Sequence, residues 1–318
     1  MRIHPRSAIV LASLTGAIGV VQAVAAPAAG ARVADDATVT VVNAASHYPE
    51  GPLWRGGKLF YVEYSTSRIL VWNGRANHVL WQHKGCGASG LAPLPARRLL
   101  VTCYDSNQLA IVDARGRTVR LIGSDSWGHG FLGPNDLTRD HKGGVYVSAS
   151  GVYDVKAPIQ GMILHLAADG SLWPVARDIH YSNGLAVTPD GRRLLVSEML
   201  AGRVLSFAVR QDGSLGARRV FARLQDLVAP TPGADAYNGP DGLKVAPDGR
   251  VFIAQNGSGR VLIVDRKARL LRVVDVPATY VTNVGFGPTP ETLYVTAATD
   301  PNNPPYPGVV LKVVLSGR

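Results

Sequence analysis

The sequence has few charged residues, few cysteines and few long apolar runs. Charged side chains make up 18% of its 318 residues, below the roughly 25% of an average domain. This balance argues against a coiled coil, a helical repeat array or a disordered chain. Hydrophobic residues reach 46%, and the chain holds 35 glycines and 21 prolines. A real core and abundant turns favour an all-β protein with many short connections.

Several signatures of catalytic sites are also missing. No Gly-x-Ser-x-Gly segment occurs, which argues against a serine hydrolase. The eight histidines contain no His-x-x-x-His pair. The segment Gly85–Gly90 matches the Gly-x-Gly-x-x-Gly pattern of dinucleotide-binding loops. No crossover helix follows it, so we expect no dinucleotide to bind there.

The chain carries an excess of positive charge without a basic patch. Its formal net charge is +10. Lys and Arg occur singly or in pairs, such as Arg97-Arg98 and Arg218-Arg219, with no run and no interleaved aromatic residues. This pattern is typical of a solvated basic surface, and we expect no nucleic-acid partner.

The first thirty residues have the pattern of a targeting segment. Arg2 and Arg6 precede the apolar run Ala8–Val21, and small residues such as Ala26 and Ala28 follow it. This order predicts a signal peptide over residues 1–28 and export to the periplasm or outside the cell. An uncleaved membrane anchor is the alternative. After cleavage we expect no membrane contact.

A short pattern recurs six times along the rest of the chain, and we call its first residue the landmark. Each landmark is a polar residue, usually followed by Gly or an apolar residue, then by a turn and a β-rich run. The landmarks are Glu50, Ser89, Asn135, Asn183, Asp241 and Asn283. Their spacing of about 40 to 60 residues fits four short strands and their loops, the size of a propeller blade.

The repeats predict a six-bladed β-propeller over residues 33–318. The last repeat ends after one further strand, Val309–Leu315, while the strand-like stretch Thr38–Val42 precedes the first landmark and belongs to no complete repeat. Pairing these two strands would close the ring and remove two unpaired edges. We expect the N-terminal strand to complete the last blade in this way.

The predicted ring gathers the six landmarks around one channel. The innermost strand of each blade begins beside the axis, so residues at one repeat position converge. Two carboxylates, three carboxamides and a hydroxyl would meet there, and burying them is costly unless something satisfies them. Oxygen donors with two negative charges suit a hard divalent cation, Ca²⁺ first, with Mg²⁺, Mn²⁺ and Zn²⁺ as alternatives.

A structural interpretation of the landmarks competes with the cation site. Asn-Gly and Asp-Gly are common turn dipeptides, so each landmark could be a simple turn. However, every repeat already has a hairpin turn about six residues further on, such as Gly56-Gly57 or Asp248-Gly249. The second polar position therefore favours a cation site, where a neighbouring carboxylate, Asp241, could deprotonate water.

The two cysteines lie in the same repeat. Cys86 comes three residues before a landmark, and Cys103 ends the second strand of that blade. Both positions fall on the face where the channel opens. Two buried free thiols are the alternative, but this placement and an oxidising compartment favour a disulfide.

Four of the repeats carry motifs of a known family. They are Glu50-Gly51-Pro52-Leu53-Trp54, Pro134-Asn135-Asp136-Leu137, Asn183-Gly184-Leu185 with Pro189-Asp190-Gly191, and Pro240-Asp241-Gly242 with Asp248-Gly249. On these motifs the chain resembles the SMP-30/gluconolactonase family of six-bladed propellers. The resemblance covers essentially the whole chain after the targeting segment.

The resemblance implies a metal-dependent hydrolase that opens lactones. It implies a divalent metal held by Glu50, Asn183 and Asp241, with Asn135 as a further ligand or a substrate contact. Asp241 would also be the general base. The expected partner is a small lactone or cyclic ester, and we expect a monomer.

One stretch departs from the family pattern. Many sugar lactonases of the family have an Arg and a polar residue just before the Pro-Asn-Asp segment. Here that stretch is His129–Gly133, more apolar, with His129 as its polar side chain. We expect His129 and Asn283, with Asn135, to contact the substrate, and a lactone less hydroxylated than a sugar is compatible with this stretch.

Further residues near the landmarks are candidates for the cavity. His47, His180, Tyr153 and Tyr237 could line it, and the long segment 226–239 could cover its mouth. Rival functions are a metal-free propeller similar to strictosidine synthase, a lyase propeller, and a propeller that only binds a ligand or protein partner.

Overall fold

Each sequence repeat forms one antiparallel sheet, and six sheets make the blades of a β-propeller. The computed structural model describes residues 33–34, 37–230 and 238–316. We call the strands of a blade A to D. Strand A of each blade contacts strand A of both neighbouring blades, so the six A strands surround the axis. The predicted all-β, six-bladed fold is confirmed.

The strand bounds follow the repeats. In order A to D, blade 1 contains Pro49–Arg55, Lys58–Glu63, Arg68–Trp72 and Asn77–Gln82. Blade 2 contains Ala88–Pro93, Leu99–Cys103, Gln108–Val112 and Thr118–Ile122. Blade 3 contains Pro134–Arg139, Val145–Ala149, Gly161–Leu166 and Leu172–Ile179. Blade 4 contains Ser182–Val187, Arg193–Glu198, Arg203–Ala208 and Arg219–Arg223.

The last two blades complete the ring. Blade 5 contains Gly239–Val245, Val251–Asn256, Arg260–Val264 and Leu270–Asp275. Blade 6 contains Tyr280–Phe286, Thr292–Ala298, Pro307–Leu315 and, as its strand D, Ala37–His47, with Val33–Ala34 at its edge. Within the described residues, the helical segments are a 3-10 turn at Met199–Ala201 and one α-helical turn at Leu224–Leu227.

The N-terminal strand closes the ring. Ala37 pairs with Leu315 and His47 with Pro307, so strand D runs antiparallel to strand C. The observed strand extends five residues beyond the predicted Thr38–Val42, since it ends at His47. The predicted closure is confirmed, and it gives the C-terminal strand a hydrogen-bonded partner on both sides.

The hydrophobic core lies between the blades. Six clusters of buried apolar residues each combine side chains from two adjacent blades. At the closure between blades 6 and 1, Trp54 stacks on Tyr294 at 5.4 Å between ring centroids. Because apolar packing occupies the spaces between the sheets, the channel along the axis is left to the polar landmarks.

Each landmark sits at an irregularity of strand A. In all six blades the register between strands A and B shifts at or beside the landmark. Such a β-bulge turns a side chain away from the ordinary alternation of a strand. The bulges therefore allow the landmark side chains to point towards the axis.

Glycines beside the landmarks allow the A strands to approach one another. A Cβ on Gly184 would lie 2.3 Å from the Asp241 carbonyl oxygen, and one on Gly285 would lie 2.3 Å from that of Pro52. Both oxygens belong to the next blade. The landmark-glycine pairs are thus not turns: the polar residue faces the channel, and the glycine makes room for the neighbouring blade.

Two predicted features concern residues that the structure leaves undescribed. The signal peptide predicted at residues 1–28 lies outside the described residues. So do residues 231–237, which include Tyr237 and half of the predicted cover at 226–239. Within the described ranges, no helix combines the length and hydropathy needed to cross a bilayer.

Candidate active site

A cavity of about 480 Å³ opens at the end of the channel where the A strands begin. Landmarks from five of the six blades line its floor. They are Glu50, Ser89, Asn135, Asn183 and Asp241. All five are buried, although they are separated by up to almost 200 residues in the sequence, so the ring geometry brings the predicted groups together.

Asp241 has one buried carboxylate oxygen without a hydrogen-bond partner. Its Oδ2 accepts a hydrogen bond of 2.8 Å from Asn256 Nδ2. Its Oδ1 is buried and has no hydrogen-bond partner. Burial raises the pKa of this carboxyl well above its usual value; the Asn256 hydrogen bond opposes the rise, and the nearby charge of Asp136 adds to it.

Glu50 is the second carboxylate of the floor. Its Oε2 accepts hydrogen bonds of 3.1 Å from the Gly51 backbone and from Asn283 Nδ2. Burial raises the pKa of Glu50 well above its usual value, and the charges of Asp241 and Asp136 raise it further. Two buried carboxyl groups with raised pKa values, of which Asp241 adds to the rise at Glu50, are an arrangement that a bound cation would relieve.

The two asparagines of the floor are held by different contacts, Asn183 through its side chain and Asn135 through its backbone. Asn183 Nδ2 donates to the Met199 sulfur at 3.3 Å, which leaves its oxygen for a ligand. The backbone oxygen of Asn135 accepts from Ser89 and Thr102 hydroxyls of the preceding blade at 3.0 and 2.5 Å. Ser89 therefore serves mainly to join blades 2 and 3.

Asn283 lies beneath the cavity floor. It is 1% exposed and is not among the described residues that line the cavity. Its Nδ2 bridges Glu50 Oε2 at 3.1 Å and Asp136 Oδ2 at 3.3 Å, and Asp136 also faces Lys244 Nζ at 3.5 Å. The structure thus places Asn283 as a support for Glu50, away from the predicted substrate contact.

His129 lies outside the cavity. Its side chain is 71% exposed and its ring stands 3.4 Å from Asp125. The Asp125 carboxylate accepts hydrogen bonds of 2.9 Å from the backbone of Trp127 and His129, and this turn directs the segment outward. Neither His47 nor His180 lines the cavity within the described residues, and we assign none of these histidines to the site.

Some residues of the site are not landmarks, but their positions in the repeat could have identified them from the sequence. Asn256 ends strand B of blade 5, so it returns to the same face as Asp241. Tyr48 and Tyr181 each stand two residues before a landmark, both with positive φ, of 51° and 63°. Tyr153 lines the cavity as expected, and Tyr104 follows strand B of blade 2.

Cys86 and Cys103 are joined by a disulfide with a Cα–Cα distance of 4.4 Å. The bond lies next to the cavity wall, because the backbone of Tyr104 donates to Gly87 and that of Asp105 to Cys86. The disulfide therefore ties the entry of blade 2 to the loop that carries Tyr104.

Residues 48–299 match the family described as the SMP-30/Gluconolactonase/LRE-like region. The match spans most of the chain and includes all six landmarks. The chain belongs to this family, as its motifs predicted.

Relatives agree with this assignment. The pentonolactonase XacC of Haloferax volcanii is 27% identical over 82% of this chain and 85% of its own length. A Xanthomonas campestris protein described as a gluconolactonase has a solved structure with a TM-score of 0.72 and 23% identity, covering 92% of this chain and 93% of its own. The calcium-binding protein regucalcin of Agrobacterium tumefaciens gives a TM-score of 0.67 at 19% identity, over 87% of this chain and 94% of its own.

Proposed function

We propose that this protein hydrolyses lactones at a divalent cation held by Glu50, Asn135, Asn183 and Asp241. The observation that carries the proposal is the buried, unpartnered Oδ1 of Asp241 in a cavity shared with a second carboxylate. A buried charged oxygen without a partner is costly, so its retention indicates a ligand or a reacting group at that point. Family membership and the relatives named as lactonases support the same reaction.

The donor set fits a hard cation. Two carboxylates and two carboxamide oxygens supply oxygen ligands and two negative charges, which favours Ca²⁺ and admits Mg²⁺ or Mn²⁺. Among the described residues, no group of three or more His, Cys, Asp or Glu side chains is placed to hold a metal. The proposed site therefore depends on the amides of Asn135 and Asn183.

Asp241 is the proposed general base. Its Oδ1 would take a proton from water as the water oxygen adds to the lactone carbonyl carbon. When the ring C–O bond breaks, the same carboxyl would return the proton to the departing alkoxide, which gives the hydroxy acid. Asn256 keeps the carboxylate oriented through Oδ2. A cation bound at the floor would polarise the carbonyl and stabilise the developing oxyanion.

Removal of the cation tests this proposal. Dialysis against a chelator is expected to lower turnover of a simple lactone such as δ-valerolactone by about a hundredfold or more, and added Ca²⁺ should restore it. The thermal unfolding of the dialysed protein serves as the control for loss of structure. Undiminished turnover after metal removal, shown by elemental analysis, would contradict the proposed role of the cation.

We propose that the protein is exported to the periplasm or outside the cell. The disulfide between Cys86 and Cys103 supports export to an oxidising compartment, since such bonds are rare in the cytosol. We also propose a monomer, because the strands of a single chain close the ring of six blades.

A further inference from the structure

Aromatic rings form the wall of the cavity above its polar floor. Of the eleven tyrosines in the sequence, seven line this one cavity. Five of them form a connected group that we call the tyrosine belt. It consists of Tyr48, Tyr64, Tyr104, Tyr153 and Tyr181.

The belt is continuous from blade 1 to blade 4. Tyr64 packs edge-on against Tyr48 and Tyr104, with ring centroids 5.5 and 6.1 Å apart. Tyr181 donates a hydrogen bond of 3.0 Å to the Tyr104 hydroxyl and packs edge-on against Tyr153 at 4.8 Å. Mutual packing of this kind fixes the rings as a preformed surface.

Three tyrosines of the belt donate their hydroxyl protons to hydrogen bonds within the protein. Tyr64 donates to Asp105 Oδ1 at 2.7 Å, Tyr181 donates to Tyr104, and Tyr104 donates to the Gly151 carbonyl at 3.4 Å. Each phenol has a single proton to donate. These three side chains therefore offer a ligand their rings, and cannot at the same time donate to the hydroxyls of a sugar.

The cavity also lacks positive charge. Among the described residues that line it, none is Lys, Arg or His, and its ionisable carboxyls are Glu50 and Asp241. A lactone that carries a carboxylate or phosphate would find no cationic side chain there, and the charge of a divalent cation at the floor would already be balanced by the two carboxylates.

Apolar side chains are also exposed on the loop that carries Tyr153. Tyr153 belongs to the loop 150–160 between strands B and C of blade 3. The side chains of Val152, Val155 and Ile159 in this loop, with Tyr153, are between 43% and 49% exposed. Exposed apolar side chains on a loop that also lines a cavity are typical of a binding surface for an apolar group.

We infer that the substrate is a lactone with an apolar alkyl or aryl body, whose ring reaches the polar floor while its body lies against the tyrosine belt. This inference rests on the proposed lactonase function and specifies its substrate class. The polar floor binds the lactone carbonyl, and the tyrosine belt binds a substituent that is uncharged and carries few hydroxyls.

Four six-membered lactones with different substituents provide the test. They are glucono-δ-lactone, unsubstituted δ-valerolactone, pentyl-substituted δ-decalactone and benzo-fused dihydrocoumarin. Dihydrocoumarin releases a phenol and is intrinsically more reactive than the alkyl lactones, so each kcat/KM is divided by the rate constant of uncatalysed hydrolysis. This ratio should be highest for the last two and lowest for gluconolactone. Along a series of lengthening alkyl chains, each added methylene should raise kcat/KM by up to about fourfold until the chain reaches solvent.

The outcomes separate the substrate class from the function. Hydrolysis of gluconolactone with a kcat/KM equal to or above that of δ-decalactone would overturn the apolar assignment and leave lactone hydrolysis standing. Failure to hydrolyse any of the four, with the cation bound, would overturn the proposed function and this inference with it.

Substitutions in the belt test whether rings or hydroxyls select the substrate. Tyr153→Ser should lower the ratio of kcat/KM for δ-decalactone over δ-valerolactone by about tenfold, mainly through KM, whereas Tyr153→Phe should preserve the ratio. Trp127→Ser removes an aromatic ring that is 62% exposed and outside the cavity, so it should leave the ratio unchanged. Loss of the preference in Tyr153→Phe to the same extent as in Tyr153→Ser would contradict a role for the ring.

Discussion

Replacing Asp241 with asparagine is expected to lower lactone turnover by roughly a thousandfold, with little loss of stability. The substitution removes the proposed proton acceptor and one of the two negative charges that hold the cation. Each loss slows lactone hydrolysis. An asparagine oxygen can still accept the hydrogen bond from Asn256. Since burial already disfavours the charged carboxylate, the neutral variant should unfold, with both proteins free of divalent cation, at the same denaturant concentration as the parent or a higher one.

A matched control lies in the same blade. Asp248 is half-exposed on the turn between strands A and B, where it accepts a hydrogen bond from Arg250. Asp248→Asn should therefore retain full turnover. Steady-state kinetics and urea unfolding on both variants measure the two effects separately. Full turnover by Asp241→Asn would exclude Asp241 as the general base.

Replacing Gly184 with alanine is expected to destabilise the propeller by about 3 kcal/mol. The new Cβ would lie 2.3 Å from the Asp241 carbonyl oxygen and 2.6 Å from the Gly242 Cα. Both atoms belong to the backbone of the next blade, so no rotamer change can relieve the contact. Urea unfolding measures the loss of free energy, and the shifted inner strand should also lower turnover.

Gly123 supplies the comparison for that substitution. A Cβ at Gly123 would meet only the flexible side chain of Gln108, at an ordinary distance of 3.6 Å. Gly123→Ala should change the free energy of unfolding by less than about 1 kcal/mol. Equal effects of the two substitutions would show that the inner strands are not closely packed around the axis.

The repeat allowed the fold and the floor of the site to be predicted from the sequence. Residues at one position of a closed ring must meet, whatever their distance along the chain, so Glu50 and Asp241 could be placed together without an alignment. The missing strand of blade 6 followed from the same closure, because an open ring would leave two sheet edges unpaired.

The direction of individual side chains could not be predicted. Asn283 occupies a landmark position, yet the local register of its strand places it below the floor, where it holds Glu50. His129 precedes a landmark by six residues, but the turn built on Asp125 directs it to solvent. Both outcomes depend on one bulge or one turn, which residue type and spacing do not specify.

Apart from Tyr153, the members of the tyrosine belt were not predicted from the sequence, for a different reason. Its members come from strand ends and loops of blades 1 to 4, and each tyrosine taken alone is an ordinary core or surface residue. Only the convergence of the blade ends on one face shows that Tyr48, Tyr104 and Tyr181 belong to one wall.

Titration of the purified protein with Ca²⁺, followed by calorimetry, tests the central claim most directly. The parent protein and Asp248→Asn should bind one ion per chain, with an affinity that falls as the pH is lowered, because protons compete for Glu50 and Asp241. Glu50→Gln and Asp241→Asn should bind it far more weakly while remaining folded. No binding by the parent, or equal binding by all four proteins, would contradict a cation site at the hub of the propeller.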